Sequence, residues 1–108
     1  MSDGFERRQD GFETKYKLQE EQKFRASARR NKLLGQWAGK RMGLADADLD
    51  AYVMEVVRSD FEEAGDDDVF RKVKGDFETK GHPIADEELR ETMDRLYEEA
   101  CRTIAEEG

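Results

Sequence analysis

Apolar residues recur along most of the chain at the spacing of an α-helix, and they divide it into four amphipathic segments. The last segment is the clearest, because one stripe at every third or fourth position is formed by Leu89, Met93, Leu96, Tyr97, Ala100 and Ile104. This stripe predicts a helix from about residue 86 to 106. The sequence "GHP" before it predicts a break, with Asp86 as the helix N-cap.

Two shorter segments in the middle of the chain have the same period. The segment "DADLDAYVMEVVRSDFEEAG" carries its stripe at Leu49, Tyr52, Val53, Val56, Val57 and Phe61. It predicts a helix capped by Asp46 or Asp48 and ending at Gly65, although its valines weakly favour a strand. In the following segment the stripe is Val69, Phe70, Val73 and Phe77. It predicts a shorter helix that begins at the aspartates 66–68 and stops near Gly81.

The segment "KFRASARRNKLLGQWAGKRMG" predicts the first helix of the set. Its expected buried side is Phe24, Ala28, Leu34, Trp37, Ala38 and Met42. Glycines 35, 39 and 43 repeat at four-residue spacing, which is typical of a close helix crossing or of local flexibility. Four such segments joined by short breaks predict an all-α protein, a four-helix bundle whose first helix is long.

Residues 1–18 form a leader that differs from the bundle domain predicted for residues 19–108. Its apolar positions Phe5, Phe12 and Tyr16 lie within about 40° of one another on a helix, as a narrow stripe among charged residues. Gly4 and Gly11 each cost about 1 kcal/mol of helix stability relative to alanine. The leader is therefore expected to be disordered or fluctuating in the free protein and to fold on a partner.

Charge separates the two ends of the chain. Of the 108 residues 43% are charged and the net charge is −8. Residues 1–42 hold 11 Lys/Arg and 6 Asp/Glu, whereas residues 43–108 hold 8 and 21. A basic first part on an acidic body indicates that the first part meets the partner. The single cysteine and the absence of a long apolar run predict a cytoplasmic protein without direct membrane insertion.

Candidate catalytic groups are few. His82 precedes Pro83 in a predicted turn and has no second histidine or cysteine near it in sequence, so an exposed loop histidine is favoured over a metal ligand or general base. Cys101 adjoins the apolar stripe and is expected to be a small, partly buried residue. The sequence predicts no enzyme, no metal site and no cofactor.

Motifs that bind ions, nucleotides or nucleic acids are also missing. The acidic run "DFEEAGDDDVF" lacks the alternating ligands and final glutamate of a calcium loop, and helix capping explains its aspartates more simply. No glycine-rich phosphate loop is present. The cluster "RASARRNK" offers four cations, which are expected to be solvated or to pair with the acidic helices. On an acidic body this cluster does not indicate nucleic-acid binding.

Two long blocks carry a resemblance to a known family. The blocks "ARRNKLLGQWAGKRMG" and "SDFEEAGDDDVFRKVKGDF" resemble the zeta-type ATPase inhibitor subunit of alphaproteobacterial F-type ATP synthases. The resemblance extends over nearly the whole chain. It implies a four-helix bundle with a mobile inhibitory N-terminus that enters the interface of the alpha and beta subunits, beside the central stalk, and blocks ATP hydrolysis. It also places the protein at the cytoplasmic face of the inner membrane when bound.

The leader supplies the predicted partner-binding residues. Phe5, Phe12 and Tyr16 are interpreted as apolar anchors, and the charged partners of the cleft are Arg7, Arg8, Glu13 and Lys15. The resemblance matches Phe5, Arg8, Glu13, Lys15 and Tyr16 to family positions of the same character. Because ordering such a segment costs about 2 to 5 kcal/mol, a cleft that changes shape as the rotor turns would trap or expel it, which makes the protein a one-way brake.

Two other interpretations stay open from the sequence. The chain could be a helical adaptor whose basic leader binds another acidic protein or an RNA, in which case salt would weaken binding whatever the aromatic content. A small enzyme using His82 or Cys101 is the third interpretation. Weak adenine-nucleotide binding by the bundle is also left open.

Overall fold

The computed structural model describes residues 18–60 and 66–107, and all regular structure in these two ranges is helical. The helices are α1 (Glu20–Arg41), α2 (Asp46–Arg58), α3 (Asp67–Thr79) and α4 (Asp86–Glu107). The prediction of an all-α four-helix bundle is confirmed. The long first helix is not distinctive, because α1 and α4 both have 22 residues. The predicted disorder of the leader concerns residues that, except for Leu18, lie outside the described ranges.

Helix α1 is the centre of the arrangement. It packs along both α2 and α4, and α3 makes smaller contacts with each of the other three. The main core includes the fully buried Leu34, Val56, Phe77 and Met93, one from each helix. Trp37 is partly buried and packs edge-on against Phe77, with ring centroids 5.8 Å apart. None of the described helices has both the length and the apolar character required to cross a membrane.

Of the two alternatives that the glycine spacing left open, a close helix crossing occurs, and it lies between α1 and α2. A Cβ atom added to Gly35 would lie 2.9 Å from the Cα atom of Val53, and one added to Gly39 would lie 2.5 Å from Leu49 Cδ1. Hydrogen at these two positions therefore allows the two helices to touch. Gly43 has a different role, because its φ of +91° suits the turn that follows α1.

Helix α2 ends earlier than its sequence predicts. The prediction placed its end at Gly65, but the helix stops at Arg58. Ser59 follows as the C-cap, and its hydroxyl donates a 2.7 Å hydrogen bond to the carbonyl oxygen of Val56. Phe61 and Gly65 lie outside the described residues. The predicted ends of the other helices agree with the structure to within about two residues.

Aspartates predicted as helix caps occupy the first turns instead. Helix α2 begins with Asp46 and α4 begins with Asp86, and Ala45 holds the N-cap position of α2. Asp66 does stand at the N-cap position of α3, but its side chain makes no capping hydrogen bond. Carboxylates in the first turn still stabilise a helix through its dipole. The positions of these aspartates at the helix starts were predicted correctly, but neither α2 nor α3 has the predicted capping hydrogen bond from an aspartate side chain.

The predicted buried side of α1 is wrong at its N-terminal end. Phe24 is 77% exposed, and Ala28 is exposed as well. Leu34, Ala38 and Met42, toward the other end, are buried as predicted. At this end the buried residue is Ala26, which lies on nearly the opposite side of the helix from Phe24 and packs against α4. Helix α2, which covers the other side, stops at Arg58.

Candidate functional site

The residues predicted to bind the partner lie in the leader, outside the described part of the chain. They are Phe5, Arg7, Arg8, Phe12, Glu13, Lys15 and Tyr16. Their roles as anchors and charged contacts stay predictions. The structure instead describes the place where the leader joins the bundle and the surfaces around it.

The junction is fixed to the bundle by Leu18. Leu18 is buried in a cluster with Ala26 of α1 and with Ala100, Cys101 and Ile104 of α4. The backbone N–H of Gln19 donates a 2.9 Å hydrogen bond to Gln22 Oε1, which satisfies one free donor at the start of α1. The leader therefore departs from a defined point, where α1 begins and α4 ends.

Exposed ion pairs hold the same end of the bundle. Arg25 and Arg29 of α1 reach Glu107 of α4 at N···O distances of 3.5 and 3.2 Å. All three side chains are more than one-third exposed. Such pairs are each worth between about 0 and 1 kcal/mol and weaken in salt. They orient the end of α4 without contributing much stability.

A buried polar network lies deeper, next to this junction. Arg30 is only 4% exposed, and its guanidinium is 3.6 Å from Asp66, which also receives a 3.1 Å hydrogen bond from Arg90. Next to Arg30, Asn31 donates a 2.8 Å hydrogen bond to Asp60. Burial lowers the pKa of Arg30, and the negative charges of Asp66 and Asp60 oppose that effect. The network joins α1 to both sides of the α2–α3 connection.

This network partly confirms and partly corrects the interpretation of "RASARRNK". Pairing of its arginines with acidic residues is confirmed for Arg25, Arg29 and Arg30. The burial of Arg30 was not predicted, because in the sequence Arg30 is one of several neighbouring cations and nothing distinguishes it from the others. A buried arginine that pairs with Asp66 explains that aspartate better than helix capping does.

The described residues give little support to catalysis. His82 is exposed in the connection between α3 and α4, as predicted. Cys101 is completely buried, and therefore more deeply than predicted, so its sulfur is not available to a substrate. No group of three or more potential metal ligands exists within residues 18–60 and 66–107.

A polar groove of about 420 Å³ lies between α2 and the C-terminal end of α3. Its lining includes Asp48, Glu55 and Asp76 but only one lysine, Lys80. The hydroxyl of Tyr52 donates to Asp76 over 2.9 Å, and Lys72 lies 2.8 Å from Glu55. Burial raises the pKa of Tyr52, with Asp76 adding to the effect. The carboxylates disfavour a phosphate in this groove. Weak adenine-nucleotide binding by the bundle, which the sequence leaves open, gains no support from it.

Comparison with known proteins identifies one family. A family model described as ATPase inhibitor subunit zeta matches residues 1–103, which include the leader, all of α1 to α3 and most of α4. No individually curated protein shows significant similarity to the chain.

Proposed function

Because the chain belongs to the ATPase inhibitor subunit zeta family, we propose that its leader blocks ATP hydrolysis by folding into the interface of the alpha and beta subunits of an F-type ATP synthase head. The protein acts as a regulatory subunit and catalyses no reaction of its own. It works in the cytoplasm, at the cytoplasmic face of the inner membrane, where the head and its central stalk lie.

The extent of the family match carries this proposal. The match begins at residue 1, so the leader belongs to the sequence that defines the family and is not an unrelated addition to a common bundle. Within the leader, Phe5, Phe12 and Tyr16 lie on one side of a helix among charged residues. Such a segment buries its aromatic side chains only when a partner provides the second surface.

The bundle is too wide to follow the leader into a cleft that accepts a single helix, so it limits how far the leader can insert. Its principal extents are 38, 32 and 22 Å, whereas a single helix with its side chains is about 10 to 12 Å wide. A cleft that accepts the leader as one helix therefore excludes the bundle. Leu18, the first residue that the structure describes, packs among the helices of the bundle and therefore belongs to the part that stays outside the cleft.

Direction of rotation decides whether the leader stays bound. Ordering the leader offsets about 2 to 5 kcal/mol of its contacts, so a modest change in the cleft is enough to release it. Rotation in the hydrolytic direction closes the cleft on the leader, and rotation in the synthetic direction opens it. The full-length protein then slows hydrolysis much more than synthesis. Equal inhibition of both directions would contradict this part of the proposal.

The test is ATP hydrolysis by a purified alphaproteobacterial ATP synthase head stripped of its own inhibitor. The head is titrated with the full chain and with a chain lacking residues 1–17. This truncation keeps Leu18 and hence the junction cluster, and its helical circular dichroism and melting temperature serve as the control for an intact bundle. Inhibition by the full chain alone supports the proposal, whereas no inhibition by the full chain overturns it.

A further inference from the structure

Phe24 is the most exposed large hydrophobic residue in the described part of the chain. Its exposed fraction is 77%, and Met54 on α2 follows at 47%. A single exposed apolar side chain is ordinary in a soluble protein. The position of Phe24 on α1 distinguishes it from such a residue.

Phe24 continues the side of α1 that packs against α2. At 100° per residue it points within about 20° of Asn31, Gly35 and Met42. Moving toward the N-terminus of α1, Gly39 meets Leu49, Gly35 meets Val53, and Asn31 bonds to Asp60. Helix α2 has already ended at Arg58. Phe24 therefore belongs to a packing face that extends about two turns beyond the helix that covers it.

The neighbours of Phe24 on the same side of α1 are a small residue and a basic residue. Ala28, one turn along, is exposed, and so is Lys32 in the turn after that. Lys32 makes no ion pair within the described residues. Among the described helices only α1 is basic, with seven Lys/Arg against two Glu, whereas α4 has three Arg against nine Asp/Glu. An apolar group beside such charge fits a partner surface with a hydrophobic recess and nearby carboxylates.

Distance ties this face to the leader. Leu18, where the leader joins the bundle, precedes the start of α1 at Glu20 by two residues, and Phe24 lies only four residues, or about 6 Å, into that helix. When the leader occupies its cleft, Phe24 therefore lies at the mouth of that cleft. A Phe side chain buries at most about 250 Å², far less than the roughly 1,200 Å² of a stable interface. This face is therefore large enough to add to an interface that the leader already makes, but too small to form a stable dimer of the chain by itself.

We propose that Phe24, with Ala28 and Lys32, forms a second contact with the ATP synthase head at the mouth of the cleft. Phe24 occupies an apolar recess on the surface of the head, and Lys32 faces a carboxylate at its edge. This inference rests on the proposed function and adds a site beyond the leader. It also explains why an aromatic residue stands on the part of α1 that the bundle leaves uncovered.

Phe24→Ala in the full chain tests the proposal, with Met54→Ala as the matched control. Both substitutions remove an exposed apolar side chain from a helix, but Met54 lies on α2 and outside the proposed face. Inhibition of ATP hydrolysis by the head is titrated with each variant. Phe24→Ala is expected to raise the half-inhibitory concentration about tenfold, as for an aromatic anchor at an interface. Met54→Ala is expected to leave it unchanged.

Melting temperature and sedimentation of the same variants separate the competing explanations. The proposal expects the melting temperature of Phe24→Ala to equal that of Met54→Ala, and both proteins to sediment like the unmodified chain. A markedly lower melting temperature for Phe24→Ala would mean that Phe24 is covered within the chain. Concentration-dependent self-association that Phe24→Ala abolishes would assign the face to a second copy. Either result overturns the proposal.

The truncated chain separates this proposal from the proposed function. If removing residues 1–17 abolishes inhibition but Phe24→Ala inhibits like the unmodified chain, the leader is confirmed and the second contact is wrong. If the unmodified chain does not inhibit at all, both proposals are wrong. A tenfold loss with Phe24→Ala and complete loss with the truncation support both.

Discussion

The two halves of α1 are held by different kinds of contact. Beyond Arg29 the helix is locked by buried groups: Arg30 and Asn31 in the polar network, then Gly35 and Gly39 against α2. Before Arg30 it is held by small apolar side chains around Leu18 and by exposed pairs to Glu107. We expect polar substitutions to cost most in the first set, because its groups are buried, whereas the exposed ion pairs of the second set contribute little and weaken in salt. The cluster around Leu18 adds apolar burial that salt does not weaken.

Adjacent arginines test this difference most strongly. Arg30→Ala leaves Asp66 with one cationic partner fewer in a buried site and should lower the free energy of unfolding by about 3 kcal/mol. Arg29→Ala removes only an exposed pair and should cost less than about 1 kcal/mol. Urea denaturation followed by circular dichroism measures both. Equal losses for the two variants would refute the assignment of stability to the buried network.

Glycines provide a test in which one substitution has opposite effects at two places. Gly35→Ala forces a methyl group to within 2.9 Å of the Val53 backbone, and should destabilise the protein by about 2 kcal/mol through overpacking. Gly75→Ala on α3 meets open space, and should stabilise it by up to about 1 kcal/mol through helix propensity. Thermal melting of both variants provides the comparison. A stabilising Gly35→Ala would show that α1 and α2 are not in close contact.

Alkaline pH tests the groove beside α2, away from the leader. The folded protein raises the pKa of Tyr52 above its ordinary 10.0 and that of Lys72 above its ordinary 10.5. Both groups therefore release protons from the unfolded chain first, so their stabilising effect is complete below pH 10 and decreases as the pH rises further. Tyr52→Phe should cost about 1 kcal/mol at pH 7, and should reduce the loss of stability above pH 10. If Tyr52→Phe leaves the dependence of stability on pH unchanged, the loss of stability above pH 10 does not come from the ionisation of Tyr52.

The smallest effect is expected at the leader end. Glu107→Gln removes the carboxylate shared by Arg25 and Arg29 and should cost less than about 1 kcal/mol at low salt. The difference should vanish in 1 M NaCl, where the screening length is about 3 Å. Paired urea titrations at the two salt concentrations measure it. A cost that persists at high salt would indicate that Glu107 contributes through packing.

Helical phase was enough to predict the four helices, and the glycine spacing indicated a close helix crossing as one of two alternatives without naming the helix that α1 crosses. How far two helices stay in contact was not predictable. The helical phase of the apolar residues shows which side of a helix is apolar, but it does not show where the neighbouring helix ends. Phe24 was therefore assigned to the core although Arg58 already closes α2. Arg30 was missed for a related reason, since its burial depends on Asp66 from a distant part of the sequence. The target proposed for the leader rests on the family, because no pattern within residues 1–18 specifies a cleft.

The separation of charge among the helices also affects how the protein approaches a partner. With a net +5 on α1 and −6 on α4, the molecule has an electric dipole directed across the bundle. In the field of an acidic surface such a dipole turns the molecule before contact, so that α1 faces the surface first. The association rate should then fall as ionic strength rises, while the dissociation rate, which the proposed aromatic contacts of the leader would set, should change much less.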